Sequence, residues 1–168
     1  MIYPANFEQK IGFDRLREQV AARCTMRAAR ARLAGETFST SAREIARRLT
    51  LADEMRLLLD MEHEFPGGEY PDVDHIVAKL RVEGSFLDVE EVVTLHRALT
   101  VVGGIAAFIL NREEQYPALH ARSRGVAAFP EIVQRIDAIV DRFGNVKDNA
   151  SPGLLEIRRA VREREGQA

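Results

Sequence analysis

An all-α, multi-helix bundle is the fold class this sequence predicts, and three observations predict it. Apolar residues recur every three or four positions along nearly the whole chain. Gly, Pro, Ser and Asp cluster between those runs, and several runs open on a residue able to cap a helix. With 168 residues, 46% of them hydrophobic and 30% charged, the chain is long enough for one domain with its own core.

The elements follow in order. In "FEQKIGFDRLREQVAARC", Phe7, Ile11, Phe13, Leu16 and Val20 share a face and Gly12 interrupts it, which predicts a short helix, a bend and a longer helix. Thr25 is placed to cap the Ala-rich "TMRAARARLAG", and Gly35 to close it in the left-handed conformation. "AREIARRLTLADEMRLLLDMEHE" (Ala42 to Glu64) predicts the longest helix, with Ile45, Leu49, Ala52, Met55 and Leu59 as its stripe; "FPGGEYP" ends it, because proline lacks a donor and glycine tolerates positive φ. "DVDHIVAKLRVEG" is a short helix capped by Asp72 or Asp74.

Asp88 and Glu91 form a capping box ahead of a helix from about Val89 to Asn111. Gly103 and Gly104 inside it cost about 1 kcal/mol each relative to alanine, and point to a close helix crossing or a kink. "QYPALHARSRGVAAFP" is a connector with about two helical turns. "PEIVQRIDAIVDRFG" has Pro130 at its first turn and Gly144 beyond its end, and is expected to bury Ile132, Val133, Ile136, Ile139 and Val140. "GNVKDNAS" is too short and polar for core and leaves room for a short extended segment near 144–149. Ser151 then caps, Pro152 takes the first helical position, and Leu154, Leu155, Ile157 and Val161 begin a stripe.

Charge and motifs argue against most catalytic chemistry. The formal net charge is −2, and lysine occurs only at Lys10, Lys79 and Lys147, so the many arginines do not amount to a chain-wide basic field. The single cysteine, Cys24, has no intramolecular disulfide partner, and a reducing, cytoplasmic setting is expected. "MIYPANFEQKIGF" lacks the basic and apolar regions of a signal peptide, and "TVVGGIAAFIL" falls short of the roughly 20 apolar residues that span a bilayer. His63 with Glu62 and Glu64 looks like a metal cluster, but adjacent helical residues project about 100° apart and do not converge on one ion. Asp72 and Asp74 beside His75 read as helix-start residues rather than cation ligands. His96 and His120 stand near no nucleophile motif, Cys24 reads as a small apolar side chain, and the Gly pairs at 67–68 and 103–104 lack a phosphate-loop setting. Arginines cluster at Arg27, Arg30 and Arg32, at Arg122 and Arg124, and at Arg158, Arg159, Arg162 and Arg164. Of these, Arg158, Arg159 and Arg162 are the candidates for nucleic-acid contact, although Glu156, Glu163 and Glu165 interleave with them as in an intrahelical salt-bridge face.

Two stretches carry a family likeness. The head, "NFEQKIGFDRLREQVAARCTMRAARARLAG", places Phe13, Asp14 and Leu16 in an "F-D-x-[IL]" element. The tail, "GNVKDNASPGLLEIRRAVRERE", presents Gly144, Val146, Asp148, Ala150, Ser151, Pro152, Leu154, Ile157 and Arg158 in order. In both, and in the layout of the middle, the chain resembles the MutS-II proteins, bacterial MutS paralogues that lack the mismatch-reading domain and usually carry a C-terminal Smr nuclease domain. Gly153 departs from the glutamate common in the family.

The resemblance implies that residues 1–150 form the helical core, or lever, bundle and that residues 151–168 start a helix leading toward the clamp, there cut short. It implies a non-catalytic structural and coupling segment of a DNA-binding ATPase: no catalytic, cofactor-binding or metal residue is expected here, with ATP and Mg²⁺ bound only in a missing downstream domain. The full-length protein would be an ATPase and a nuclease, a homodimer that acts on branched DNA or the ribosome, with no membrane partner. The alternative reading is a free-standing helical protein–protein interaction module that uses Leu154, Leu155 and Val161; a weaker one is a small enzyme centred on His63.

Overall fold

The computed structural model describes residues 6–68, 70–141 and 143–166. The opening residues 1–5 of the stretch without signal-peptide features, Glu69 of the "FPGGEYP" turn, Arg142 and the final residues 167–168 lie outside these. Among the described residues the structure is helical without a sheet, in the order α1 (Phe7–Lys10), α2 (Phe13–Arg23), α3 (Arg27–Ala34), α4 (Ala42–Met61), α5 (Asp74–Leu80), α6 (Val89–Leu110), α7 (Pro117–Ser123), α8 (Pro130–Ile139) and α9 (Pro152–Glu165). The all-α expectation holds, and the extended segment near 144–149 appears as one antiparallel bridge between Val140 and Val146.

Seven of the helices group into two sets. α2 packs on both α1 and α3, and Phe38 closes the group, its ring 6.0 Å from Phe7 and 5.8 Å from Phe13. Gly12 makes the bend between α1 and α2 at φ 72°, a conformation that only glycine enters without strain. α4, α6, α7 and α8 form the second set: α7 packs on both α4 and α6, and α8 packs on α6. An ion pair from Arg48 to Glu36 bridges the two sets, and one from Arg27 to Asp72 joins α3 to the start of α5.

The core of the second set is small and sits where α4, α6 and the start of α7 meet. Leu58, Ile109 and Tyr116 are buried together, with Phe65, Ile105, Phe108 and Leu119 packed around them. The face that α4 buries therefore runs through Leu58 and not through the expected stripe, since Leu49 and Leu59 are 65% and 58% exposed. The reason is polar: Glu54 and Glu62 belong on the same side as Leu58. The Glu54 carboxylate accepts from the backbone N–H groups of Ala118 (3.0 Å) and Leu119 (2.8 Å), which caps α7 from another helix. Glu62 accepts from the Tyr116 hydroxyl (3.2 Å) and pairs with Arg112, whose guanidinium lies 3.5 Å from the centre of the Phe108 ring.

Local signals were kept or overruled one at a time. The Asp88–Glu91 capping box is present in full, Pro130 opens α8, and Ser151 with Pro152 opens α9. Thr25 is not the cap of α3; Met26 holds that position without a side-chain bond, and Gly35 closes the helix with right-handed φ −84°, so neither residue plays its expected part. Asp72 and not Asp74 bonds the start of α5, accepting from the Asp74 N–H at 3.1 Å, while Val73 is the capping residue. α4 stops at Met61. In the turn after it, Gly67 is required by space rather than by φ, because a Cβ there would sit 2.7 Å from the Phe65 ring. In α6, Gly104 lies against Pro66 of the turn after α4, but a Cβ there would stand at an ordinary 3.8 Å from the proline ring, and Gly103 faces open space, so neither glycine serves the close helix crossing expected of the pair.

α6 is the one helix among the described residues that is long and apolar enough, by length and composition, to cross a membrane. Here it is the element on which α7 and α8 both pack, and it buries Ala98, Ala106 and Ile109. α8 buries no residue completely; Ile132 and Ile139, expected in the core, are both more than two-fifths exposed.

Candidate functional site: the elbow that aims the last helix

The arginines singled out for nucleic-acid contact all lie on α9, and α9 is unlike the other long helices. Among the described residues no helix packs substantially on it. What fixes its direction is the twelve-residue connection from α8, which the sequence builds from short-range bonds.

After α8 ends at Ile139, the chain doubles back. The Asp141 carboxylate accepts from the N–H groups of Phe143 (2.8 Å) and Asn145 (2.9 Å), and the Asp141 N–H donates to the Asn145 carbonyl (2.8 Å). Those donors, the Asn145 N–H foremost, hold the Asp141 carboxyl below the ordinary carboxylate range. Gly144 stands at the tip with φ 84°, and a Cβ there would come 3.5 Å from Val93 of α6, so this glycine serves a tight turn laid against α6 and not the end of α8. The Lys147 N–H then donates to the Ile139 carbonyl (2.8 Å), its ammonium donates to the Asp137 carbonyl (2.5 Å), and Val146 faces Val140 across the bridge.

Asp148 follows immediately and joins this turn to α9. One carboxylate oxygen accepts from Arg158 and the other from Arg162, and the same Arg158 nitrogen donates to the Val146 carbonyl at 3.1 Å. The two guanidinium groups hold the Asp148 carboxyl below its ordinary range, with Arg158 the larger cause. Three residues on, the Ser151 hydroxyl accepts from the Leu154 N–H (3.2 Å) and starts the helix. Of the three candidate arginines, then, Arg158 and Arg162 are engaged by one carboxylate, whereas Arg159 is exposed and has no ion pair among the described residues.

Beside the elbow a groove of about 580 Å³ runs between α6 and α8, walled by Val93, Thr100 and Ile136 and rimmed by His96, Arg97 and Lys147. His96 Nε2 lies 2.9 Å from Asp137 Oδ1, close in distance but not aligned as a hydrogen bond, and this contact ties α6 to α8. The charged groups around the groove are thus mostly bound into the fold, and Arg97 is the exposed exception.

The remaining candidates are dispersed. Glu62 is turned toward Tyr116 and Arg112, away from a joint site with His63 and Glu64, and among the described residues no three His, Cys, Asp or Glu side chains are grouped to hold a metal ion. Asp72 is occupied by Arg27, which lowers its carboxyl, so it does not face His75 as a free ligand. His120 Nδ1 is 3.5 Å from Glu113, and the Cys24 thiol donates to the Val20 carbonyl at 3.4 Å. Arg30 is spent on the Cys24 carbonyl (2.8 Å). Sequence reasoning missed Asp148 as the partner of the α9 arginines. The signal was present in its place just ahead of the helix start, but the fold of the turn, which decides whether residues ten and fourteen positions apart can meet, was not.

The chain matches no family model. Among curated proteins it is similar to the endonuclease MutS2 of Pelotomaculum thermopropionicum, 28% identical over 159 residues, which is 95% of this chain and 20% of that protein. It is 29% identical to the endonuclease MutS2 of Symbiobacterium thermophilum over 89% of this chain, and 30% identical to that of Thermomicrobium roseum over 90%. The chain spans about a fifth of the length of these curated relatives.

Proposed function

The chain is related over nearly its whole length to the MutS2 endonucleases, and on that premise we propose that it is the non-catalytic first part of a MutS-II core, a structural segment that couples an ATPase to a nucleic-acid clamp. Residues 1–150 are the core bundle and residues 151–168 the start of the helix that runs toward the clamp. ATP and Mg²⁺ belong to a downstream domain in this reading, and branched DNA or the ribosome is met through the complete, homodimeric protein in the cytoplasm.

The observation that supports it best is the contrast between α9 and the other long helices. α4, α6 and α7 are fastened by a shared core and by carboxylates that reach across helices, and α8 packs on α6, while α9 leaves the bundle unaccompanied on an elbow with several interlocking bonds. A stiff joint that projects a helix is what transmission of a conformational change needs, because the direction of the helix then follows the body to which it is fixed. Continuing the gene's reading frame past Ala168 tests the proposal. A G-x-x-x-x-G-K-[ST] phosphate loop some hundreds of residues on is expected, and a reading frame that closes without one overturns it.

A second reading, a free-standing interaction module, draws on the apolar surface. Leu49, Met61 and Phe86 are 65%, 68% and 78% exposed, and Ile157 and Val161 of α9 are also uncovered. Sedimentation equilibrium of the 168-residue chain separates the readings: a tight dimer lost on Val161→Glu favours the module, and a monomer favours the coupling segment.

A further inference from the structure

Asp148 does more in this fold than close a turn. Its carboxylate presents two oxygens about as a phosphate group would, and each is taken by a guanidinium from α9. Arg158, Arg162 and Arg159 lie within about 100° of arc on the helix, with Arg162 between the other two and one turn on. Glu156 and Glu163 border the arc beside Arg159, one turn before and one turn after it, and Glu165 borders it beside Arg158, yet among the described residues none of the three carboxylates forms an ion pair with these arginines. The three guanidinium groups thus stand within a border of glutamates, and among the described residues the carboxylate that engages two of them is Asp148, the contact that sets the angle of α9.

We propose that Asp148 is an internal competitor for phosphate: Arg158 and Arg162 engage a phosphodiester backbone only by leaving Asp148, so that backbone binding and release of α9 from its present angle are one event. The proposal rests on the reading above in taking nucleic acid as the partner. Arg159, exposed and unpaired among the described residues, makes the first contact. A second phosphate then exchanges for the Asp148 carboxylate on guanidinium groups that bind either oxyanion through the same N–H fork. Since Arg158 also holds the Val146 carbonyl, its departure removes two of the bonds between α9 and the elbow together. No helix packing has to be broken, because none holds α9 substantially. The elbow itself, fastened by Asp141, Lys147 and the Val140–Val146 bridge, stays on α8 and α6.

The test uses the 168-residue protein with Cys24→Ser, spin-labelled at Gln134→Cys on α8 and Ala160→Cys on α9, both exposed positions. Two probes are used at low ionic strength: a four-way DNA junction and an RNA hairpin with a matching number of phosphates. Asp148→Asn is expected to broaden the 134–160 distance distribution in the absence of nucleic acid, and to tighten binding of the preferred probe by about three- to tenfold with a steeper salt dependence, by about one to two phosphate contacts. Adding the same probe to the protein with Asp148 intact should broaden the distribution in the same way, and Arg158→Ala with Arg162→Ala should abolish the gain from Asp148→Asn. Whichever probe shows these effects identifies the source of the phosphate. If the probes bind but Asp148→Asn changes neither affinity nor distance, the competition is overturned while the coupling reading survives. If Asp148→Asn frees the helix without tightening binding of either probe, competition is likewise overturned, leaving Asp148 a positioning residue. If neither probe binds either form, the arginine arc is not a phosphate surface and the inference falls outright.

Discussion

Removing the Glu54 carboxylate should loosen the bundle at its centre, although Glu54 is not part of the apolar core. α7 has no cap of its own: Tyr116 holds the capping position without a side-chain bond, and Pro117 supplies no donor. The next two N–H groups, of Ala118 and Leu119, both point at Glu54, at 3.0 and 2.8 Å, from positions 64 and 65 residues away in sequence. Each such bond contributes about 1 kcal/mol net, and a carboxylate at a helix start adds about 0.5 kcal/mol from the helix dipole. Glu54 is only half-buried, so water replaces part of the loss. Glu54→Ala should therefore cost about 2 kcal/mol, a fall in Tm of about 4–8 °C for a chain of this size. Glu54→Gln keeps one acceptor oxygen and should cost about half as much. Urea unfolding followed by far-UV circular dichroism measures the cost, and hydrogen exchange at Ala118 and Leu119 localises it. A loss below about 0.5 kcal/mol, the scale of an ordinary surface substitution, with no change in exchange at those two amides would refute the idea that α4 caps α7.

Two further outcomes follow from other parts of the bundle. Leu58→Ala, at a fully buried side chain, should cost about 3 kcal/mol in the same urea experiment, whereas Leu59→Ala next to it should cost under about 1 kcal/mol; equal effects would mean that α4 turns a different face to the core. The Glu44 carboxyl is held down to about 2 by hydrogen bonds from Arg47 and then Arg48, against an ordinary 4.5, so the stability it contributes is present above about pH 4.5 and is lost as the pH falls from there toward 2. Side-chain NMR titration of Glu44 reads this directly, and a midpoint near 4.5 would show that the two arginines do not hold it.

The elements that could be read from the sequence are those whose cause is local. Asp88 and Glu91 are three residues apart and satisfy each other's backbone; Pro130 and Pro152 sit where a missing donor costs nothing; Gly12 falls where the apolar face breaks. Thr25 and Gly35 show how such signals fail. Each is a suitable residue in a suitable place, but the chain enters α3 through Met26 and leaves it with right-handed φ, so the special property of each goes unused. The stripe on α4 failed for a different reason. Helical spacing gives a periodic apolar face but not its partner, and a helix rich in leucine offers more than one. Glu54 and Glu62 chose Leu58, because their bonds to α7 and to Tyr116 and Arg112 require that side of α4 to face inward.

By itself, then, the sequence determined that this is a helical chain, where most of its helices begin, and that a charged last helix follows a polar turn, since each of these depends on residues within a few positions of one another. Only the tertiary structure decided which face of α4 is core, that a glutamate more than sixty residues away caps α7, and that Asp148 reaches forward to Arg158 and Arg162. These contacts join residues brought together by the path of the backbone. That path is the sum of many turn geometries, and no one of them is written in the two residues that finally meet.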